Sequence, residues 1–305
     1  MPTTVNLTTT YAGELAGEIL MAAKIQNPSF DNVTVKPNVP YRLKYRKVSN
    51  SFSSFEAPTC DFTPLGTVDL TESTLTVEKF MIQRQICKET FLSDWTAKDV
   101  MSGRLNAELQ AAIAADLAAE IMSANETIMW QGVNATTGQY DGFGTIIDAD
   151  ANNDVNFVSA PVALTANNVV AKIDLLIAAM PTAVKAAAEK PAIYMNQNTW
   201  ELFMQAQISA GNGWYANLGP VMTGLKYMGL YEIKVCPGIA NNLMYFAQPS
   251  NLVLGTWVES DYNRIEILDM ADRDLSENVR LKASFFFGTL IPYTSQIAAY
   301  GPGLS

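Results

Sequence analysis

RLNAELQAAIAADLAAEIMSANETIMWQG, residues 104–132, is where the architecture can first be read. Leu105, Leu109, Ile113, Leu117 and Ile121 recur at every fourth position, set among alanine, glutamate and glutamine, which favour helix. The spacing predicts one helix over 104–129, roughly 40 Å long at 1.5 Å per residue. A strict four-residue step exceeds the 3.6-residue turn, so the apolar stripe winds around the helix. Gly103 lies near its start and Gly132 closes the segment. Such a helix is a spine for other elements, although a plain long core helix would show the same pattern.

Toward the N-terminus, 9–26 (TTYAGELAGEILMAAKIQ) is predicted helical and ends at Asn27-Pro28. Residues 29–50 alternate loosely, and Pro37 and Pro40 forbid a long central strand, so this stretch reads as an extended arm. Residues 51–80 are rich in Ser, Thr, Phe and Pro, with turn signals at Pro58, Pro64 and Gly66. They then alternate through Val68, Leu70, Leu75 and Val77, as a long two-stranded loop would. An isolated ribbon of two strands is marginal in water, so a neighbouring subunit is the natural support.

Toward the C-terminus, 132–165 is a Gly/Asn/Asp-rich connection and the best candidate boundary. An alternating α/β pattern follows: a helix at 166–180 starting at Thr165 or Asn167 and ending at Pro181, a strand at 192–196, and a helix at 198–208. A glycine-rich loop, SAGNGWYANLGPVMTG, separates these from strands at 231–236, 243–248 and 264–269 and a β-rich stretch at 278–299.

With 305 residues, 49% of them hydrophobic, the chain can bury a sizeable core. Only 16% are charged, against about 25% in an average soluble protein, which suits a chain that covers much of its surface with neighbours. The net charge of −10 argues against broad phosphate-neutralising contact with nucleic acid. Yet residues 1–50 carry Lys24, Lys36, Arg42, Lys44, Arg46 and Lys47 against Glu14, Glu18 and Asp31. That asymmetry fits a basic arm meeting acidic surfaces on other copies, and equally a solvated strand edge.

The absence of histidine removes Ser-His-Asp and Cys-His pairs, histidine metal sites and histidine proton shuttles. Cys60, Cys87 and Cys236 lack the spacing of a thiolate zinc site and suit a reduced compartment. No leader pattern and no run of eighteen apolar residues is expected to act as a signal or a membrane span.

Asp148, Asp150, Asn152 and Asp154 have the early spacing of a calcium loop, but Asn153 replaces its glycine and Ser159 its last glutamate, so they read as a polar loop. Gly142-Phe143-Gly144 has part of a dinucleotide fingerprint without the third glycine. Asp269, Asp272, Asp274 and Glu277 could hold a hard cation or act as an acid/base pair, and read more simply as a solvated turn. Trp200, Phe203 and Met204 sit at helical spacing and read as core, whereas Trp214 and Tyr215 between glycines suit a contact with another chain.

The order of these segments resembles the tailed-phage major capsid proteins of the Hong Kong 97-type fold. Glu108 through Gly132 is similar to their spine helix, and Gly142-Phe143-Gly144-Thr145-Ile146 to the glycine turn that enters their axial domain. IYMNQNTW (193–200) resembles that domain's strand-to-helix step, and Val235-Cys236-Pro237-Gly238 its strand ending in a turn. NLVLGT (251–256) and Leu268-Asp269-Met270 resemble late segments of such subunits.

The resemblance implies an α+β fold divided into an N-terminal arm (1–47), an E-loop (48–80), a peripheral domain (81–140) with its spine helix, an α/β axial domain (141–274) and a return to the peripheral domain (275–305). It implies a non-enzymatic shell subunit, without cofactor, metal or membrane, that forms hexamers and pentamers in a virion assembled in the host cytoplasm. The shell would enclose double-stranded DNA without sequence-specific contact, its net acidity letting the genome slide in. The expected contacts between subunits are Arg42, Lys44, Arg46, Lys47, Phe52, Phe55, Phe62, Trp214 and Tyr215. With the spine starting about a hundred residues in, a cleaved scaffolding region is not expected, so a separate scaffolding protein is, along with a portal and room for a decoration protein. No Lys–Asn pair is assigned to a covalent cross-link. An encapsulin-like nanocompartment shell would share the fold, and a carboxylate-based hydrolase is the remaining alternative.

Overall fold

From Pro28 the chain makes one helical turn, α1 (Ser29–Asn32), and a short strand, β1 (Thr34–Lys36), in the computed structural model, which describes residues 28–39, 41–50, 68–87, 107–150, 154–209, 226–256, 265–270 and 278–303. The helix expected at 9–26 lies outside these residues. Next come β2 (Arg42–Asn50), β3 (Val68–Thr76), β4 (Glu78–Cys87) and the spine α2 (Ala107–Gln131). After α3 (Phe143–Asp148) and β5 (Asn156–Phe157) follow α4 (Val169–Ala179), α5 (Thr182–Ala186), β6 (Ala192–Met195) and α6 (Gln197–Ser209). The remaining strands are β7 (Lys226–Tyr227), β8 (Tyr231–Val235), β9 (Met244–Ala247), β10 (Val253–Gly255), β11 (Ile265–Asp269), β12 (Asn278–Leu290) and β13 (Ile297–Tyr300).

A six-stranded sheet in the order β5-β13-β9-β6-β8-β7 forms the larger half. Its central strands β6, β9 and β13 are buried at every position. That requires cover on both faces, and alternation sorts the side chains. Ile193, Met195, Met244, Phe246, Ala298 and Tyr300 face a core completed by α4, α5 and α6. Ala192, Tyr194, Tyr245, Ala247, Ile297 and Ala299 face Met129 and Trp130 of the spine, Phe143 and Ile147 of α3, and Phe287 of β12. Trp200, Phe203 and Met204 are core residues, as their spacing predicts. At Met180 the backbone leaves the helical region, as the residue before Pro181 prefers.

The second sheet, β1-β10-β12-β11 with β4 also on β12, packs against the spine. Ile113, Leu117 and Ile121 meet Val279, Leu281 and Ala283 of β12 and Ile82 and Ile86 of β4. Arg84 adds an ion pair to Glu120 at 3.4 Å. The winding stripe thus serves two cores in succession: the sheet of β4 and β12 first, then the six-stranded sheet through Met129 and Trp130.

Three expectations change. The strand that pairs with β3 is β2, beginning at Arg42, so part of the expected arm belongs to the ribbon. Pro37 and Pro40 precede that strand and do not interrupt it. Gly142 is followed by a helix, α3, where a turn was expected. The segment 275–305 does not return as a unit: β12 joins the sheet on the spine, whereas β13 inserts between β5 and β9. Its four residues are buried on both faces, which only a doubly covered sheet satisfies.

Candidate assembly surfaces

The β2–β3 ribbon pairs from Arg42↔Thr76 at its root to Asn50↔Val68 at its outer end. Directly opposed residues share a face. One face holds Leu43, Leu75 and Tyr45, which close a small core with Val39, Val77 and Val253. Leu75 is fully buried there, and Gly255 lets its Cδ2 approach within 2.8 Å of where a Cβ would stand. Further out on that face, the Lys47 ammonium sits 5.3 Å from the centre of the Tyr293 ring. Between ribbon and body runs a cleft of about 320 Å³, lined by Tyr45, Lys47, Gln248, Asn251, Tyr293 and Gln296 among others. Among the described residues the buried Tyr45 hydroxyl has no hydrogen-bond partner, and burial raises its pKa.

Among the described residues nothing covers the opposite face. Arg42, Lys44 and Arg46 stand there in alternation, all exposed. Glu72 accepts a hydrogen bond from Lys44 Nζ at 2.8 Å and lies 3.5 Å from Arg46 Nε. The Lys44 ammonium, with Arg46 beyond it, holds the Glu72 carboxyl below the usual carboxylate range. Beyond the charges come Val48, Leu70 and Val68, which are 56%, 74% and 68% exposed. Apolar side chains so exposed, on a ribbon only two strands wide, form a patch of the kind a partner can cover.

Of the contact residues expected from sequence, the ribbon gathers Arg42, Lys44 and Arg46 on one face and turns Lys47 to the other. Phe52, Phe55, Phe62, Trp214 and Tyr215 lie outside the described residues. Sequence reading passed over Met228 and Leu230, 66% and 55% exposed at the turn between β7 and β8. The signal was Tyr227-Met228-Gly229-Leu230-Tyr231, where Gly229 takes a φ of +71° that few other residues adopt.

The other residue missed is Glu126, fully buried in the spine. Its Oε1 accepts from the Ser29 hydroxyl at 2.7 Å and the Gly238 amide at 3.1 Å, and its Oε2 from the Ser29 amide at 3.2 Å. Trp130 Nε1 donates in turn to Ser29 Oγ at 2.7 Å. Gly238 has no Cβ because one would overlap the Glu126 carbonyl oxygen. This carboxylate ties α1, the spine and the turn after β8 together; desolvation raises its pKa despite the three donors. Burial also pushes the neighbouring Cys236 thiol up to about 12, so it is an inert packing residue.

Among the described residues no group of three metal-ligating side chains occurs, and no helix is long and apolar enough to cross a membrane. Asp150 Oδ2 caps the Val155 amide at 2.7 Å, the role of a polar loop. Asp272, Asp274 and Glu277 lie outside the described residues.

No protein-family model matches the chain, and neither does any curated protein. Solved structures do. The capsid of a native GTA particle matches with a TM-score of 0.65 at 14% identity, over 94% of both chains. A chain from Mycobacterium phage Ogopogo matches with a TM-score of 0.63 at 17% identity, over 94% of this chain and 95% of that one. The fold is that of a phage capsid protein. A chain in the satellite phage P4 procapsid including size determination (Sid) protein shares it at a TM-score of 0.56 and 10% identity, over 89% of this chain and 85% of that one. A capsid fold of mixed helix and strand accounts for both halves described above, and for a spine that serves them together.

Proposed function

We propose that this chain is the major capsid protein of a tailed bacteriophage, whose copies associate as hexamers and pentamers into an icosahedral shell around double-stranded DNA. The observation that carries the reading is the capsid fold itself, matched over 94% of both chains in the GTA particle. A ribbon with one face uncovered among the described residues supports it, since a shell would supply the cover. The role is structural and not catalytic.

In this reading the fold is of the Hong Kong 97 type, with an N-terminal arm that ends before Arg42 and an E-loop that includes the β2–β3 ribbon and lies across a neighbouring subunit. The peripheral domain comprises 81–140 with the spine, together with β12. The axial domain comprises 141–274 apart from β10 and β11, which join the sheet on the spine, and β13 completes its sheet. Arg42, Lys44, Arg46, Lys47, Phe52, Phe55, Phe62, Trp214 and Tyr215 are its proposed contacts between subunits. A separate scaffolding protein, a portal and a decoration protein are the further partners this role implies.

Electron microscopy of the recombinant chain, expressed alone and with its neighbouring genes, tests the proposal. Closed shells of uniform diameter that contain DNA in the co-expressed sample are expected. A monodisperse monomer under both conditions would overturn the reading, and shells holding a cargo protein and no DNA would make it a nanocompartment.

A further inference from the structure

The cleft between ribbon and body encloses about 320 Å³, at the small end of the roughly 300–1,000 Å³ that small-molecule sites occupy. β2 forms one wall, where Tyr45 and Lys47 stand two positions apart and so point to the same side. The body forms the other, through the turn Pro249–Asn251 after β9 and the residues from Pro292 to Gln296 before β13. Asn251 holds those two pieces together. Its side-chain amide donates to the Tyr293 carbonyl at 2.7 Å, and its Oδ1 accepts from the Tyr293 amide at 2.9 Å. The body wall is therefore built independently of whatever fills the cleft.

Two groups on the ribbon wall lack counterparts. The Tyr45 hydroxyl is buried with no hydrogen-bond partner among the described residues, a costly state for a polar atom. Burial raises its pKa, so at neutral pH it remains a donor. The Lys47 ammonium sits 5.3 Å from the centre of the Tyr293 ring and makes no ion pair among the described residues. No carboxylate is among the described residues that line the cleft, in a chain with 30 acidic and 20 basic residues. Arg46 borders the space, but its guanidinium turns to Glu72 on the other face. At the rim, Glu189 Oε1 accepts from the Ser250 amide at 3.1 Å, and the Glu189 carbonyl accepts from the Gln248 side chain at 2.7 Å. That carboxylate is committed to the turn.

We propose that this cleft binds a small oxyanion, a phosphate or a carboxylate, between the Tyr45 hydroxyl and the Lys47 ammonium, with Ser250 and Gln296 on the opposite wall. Water would satisfy the hydroxyl and leave the ammonium without a counter-charge. An oxyanion answers both, because its oxygens accept from the hydroxyl and the ammonium together, and charge strengthens each hydrogen bond. The volume, that of about ten waters at roughly 30 Å³ each, fits a free anion of metabolite size. Bound there, the anion ties β2 to the turn before β13 and steadies the ribbon against the body. The site belongs to the single subunit and stands whether or not copies assemble.

Isothermal titration calorimetry of the unassembled full-length chain tests it, with inorganic phosphate and separately with acetate, and chloride at equal ionic strength as the reference. Saturable binding of at least one of the two oxyanions is expected, and the tighter one identifies the class. Y45F and K47M should each weaken it by about tenfold or more, the weight of one charge-assisted hydrogen bond. K44M, on the other face of the same strand, should change it little. Y45F removes only the unpartnered hydroxyl and K47M keeps an apolar stem, so both should fold; melting without the anion checks this. As a second readout, the bound anion should slow hydrogen exchange across 42–50 in the wild type and not in K47M. Oxyanions that bind no better than chloride would overturn the proposal and leave a cleft filled by water. Binding that Y45F and K47M leave intact, or that K44M weakens as much as they do, would overturn it in favour of a diffuse attraction to the basic ribbon.

Discussion

Glu126 shows what a single residue contributes and why it was illegible. It follows Asn125, where the four-residue step next falls, and nothing nearby in the chain announces a buried carboxylate. Its donors come from Ser29, 97 residues away, and Gly238, 112 residues away. Only the folded chain brings them together, so no local pattern could reveal them. Because burial raises its folded pKa above the ordinary 4.5, its linkage has a definite sign. The folded state binds the proton more tightly, so this contribution is complete below the unfolded pKa and is lost as pH rises through the folded one. Glu126→Gln removes that titration, but its amide must face a backbone N–H with the wrong polarity. Denaturant unfolding of the unassembled variant should therefore show a loss of about 1–3 kcal/mol at low pH. The deficit should shrink as pH rises; a deficit that grows with pH would mean that the three donors outweigh desolvation.

At the scale of elements, periodic segments were legible and the partners of strands were not. The four-residue step predicts a spine over 104–129, against Ala107–Gln131 observed, because helix periodicity is a local property. The apolar stretch 278–299 reads correctly as β-rich, but its division between two sheets depends on β4 and β9, which are distant in sequence. The basic ribbon residues were legible as a cluster, whereas their separation from Lys47 required the pairing register. That register makes a contrast between its two faces. Leu75→Ala empties a filled site at the ribbon root and should cost about 2–5 kcal/mol in subunit unfolding. Leu70→Ser, on the exposed side, should leave subunit stability within about 0.5 kcal/mol while reducing the yield of assembled shells. Equal effects of the two substitutions on subunit unfolding would contradict the assignment of faces.

At the scale of the molecule, the net charge of −10 bears on the proposed shell role. Duplex DNA and a chain of net negative charge repel, so DNA packaged in the proposed shell would slide without adhering. Fluorescence anisotropy with a labelled duplex should show no saturable binding by the subunit at 0.15 M salt. Tight binding that weakens steeply with added salt would identify a positive lining instead. The route from ribbon to body carries a mechanical consequence. β3 passes into β4 through Val77 alone, a buried residue, and β4 is laddered to β12 from Glu78↔Phe287 to Cys87↔Asn278. A tug on the ribbon along its axis therefore loads that ladder in shear, where many hydrogen bonds share the force and must yield together. A sideways tug at the ribbon's outer end peels β2 from β3 one pair at a time. A shell tied together through such ribbons would be stiff against stretching in its own plane and compliant to bending out of it.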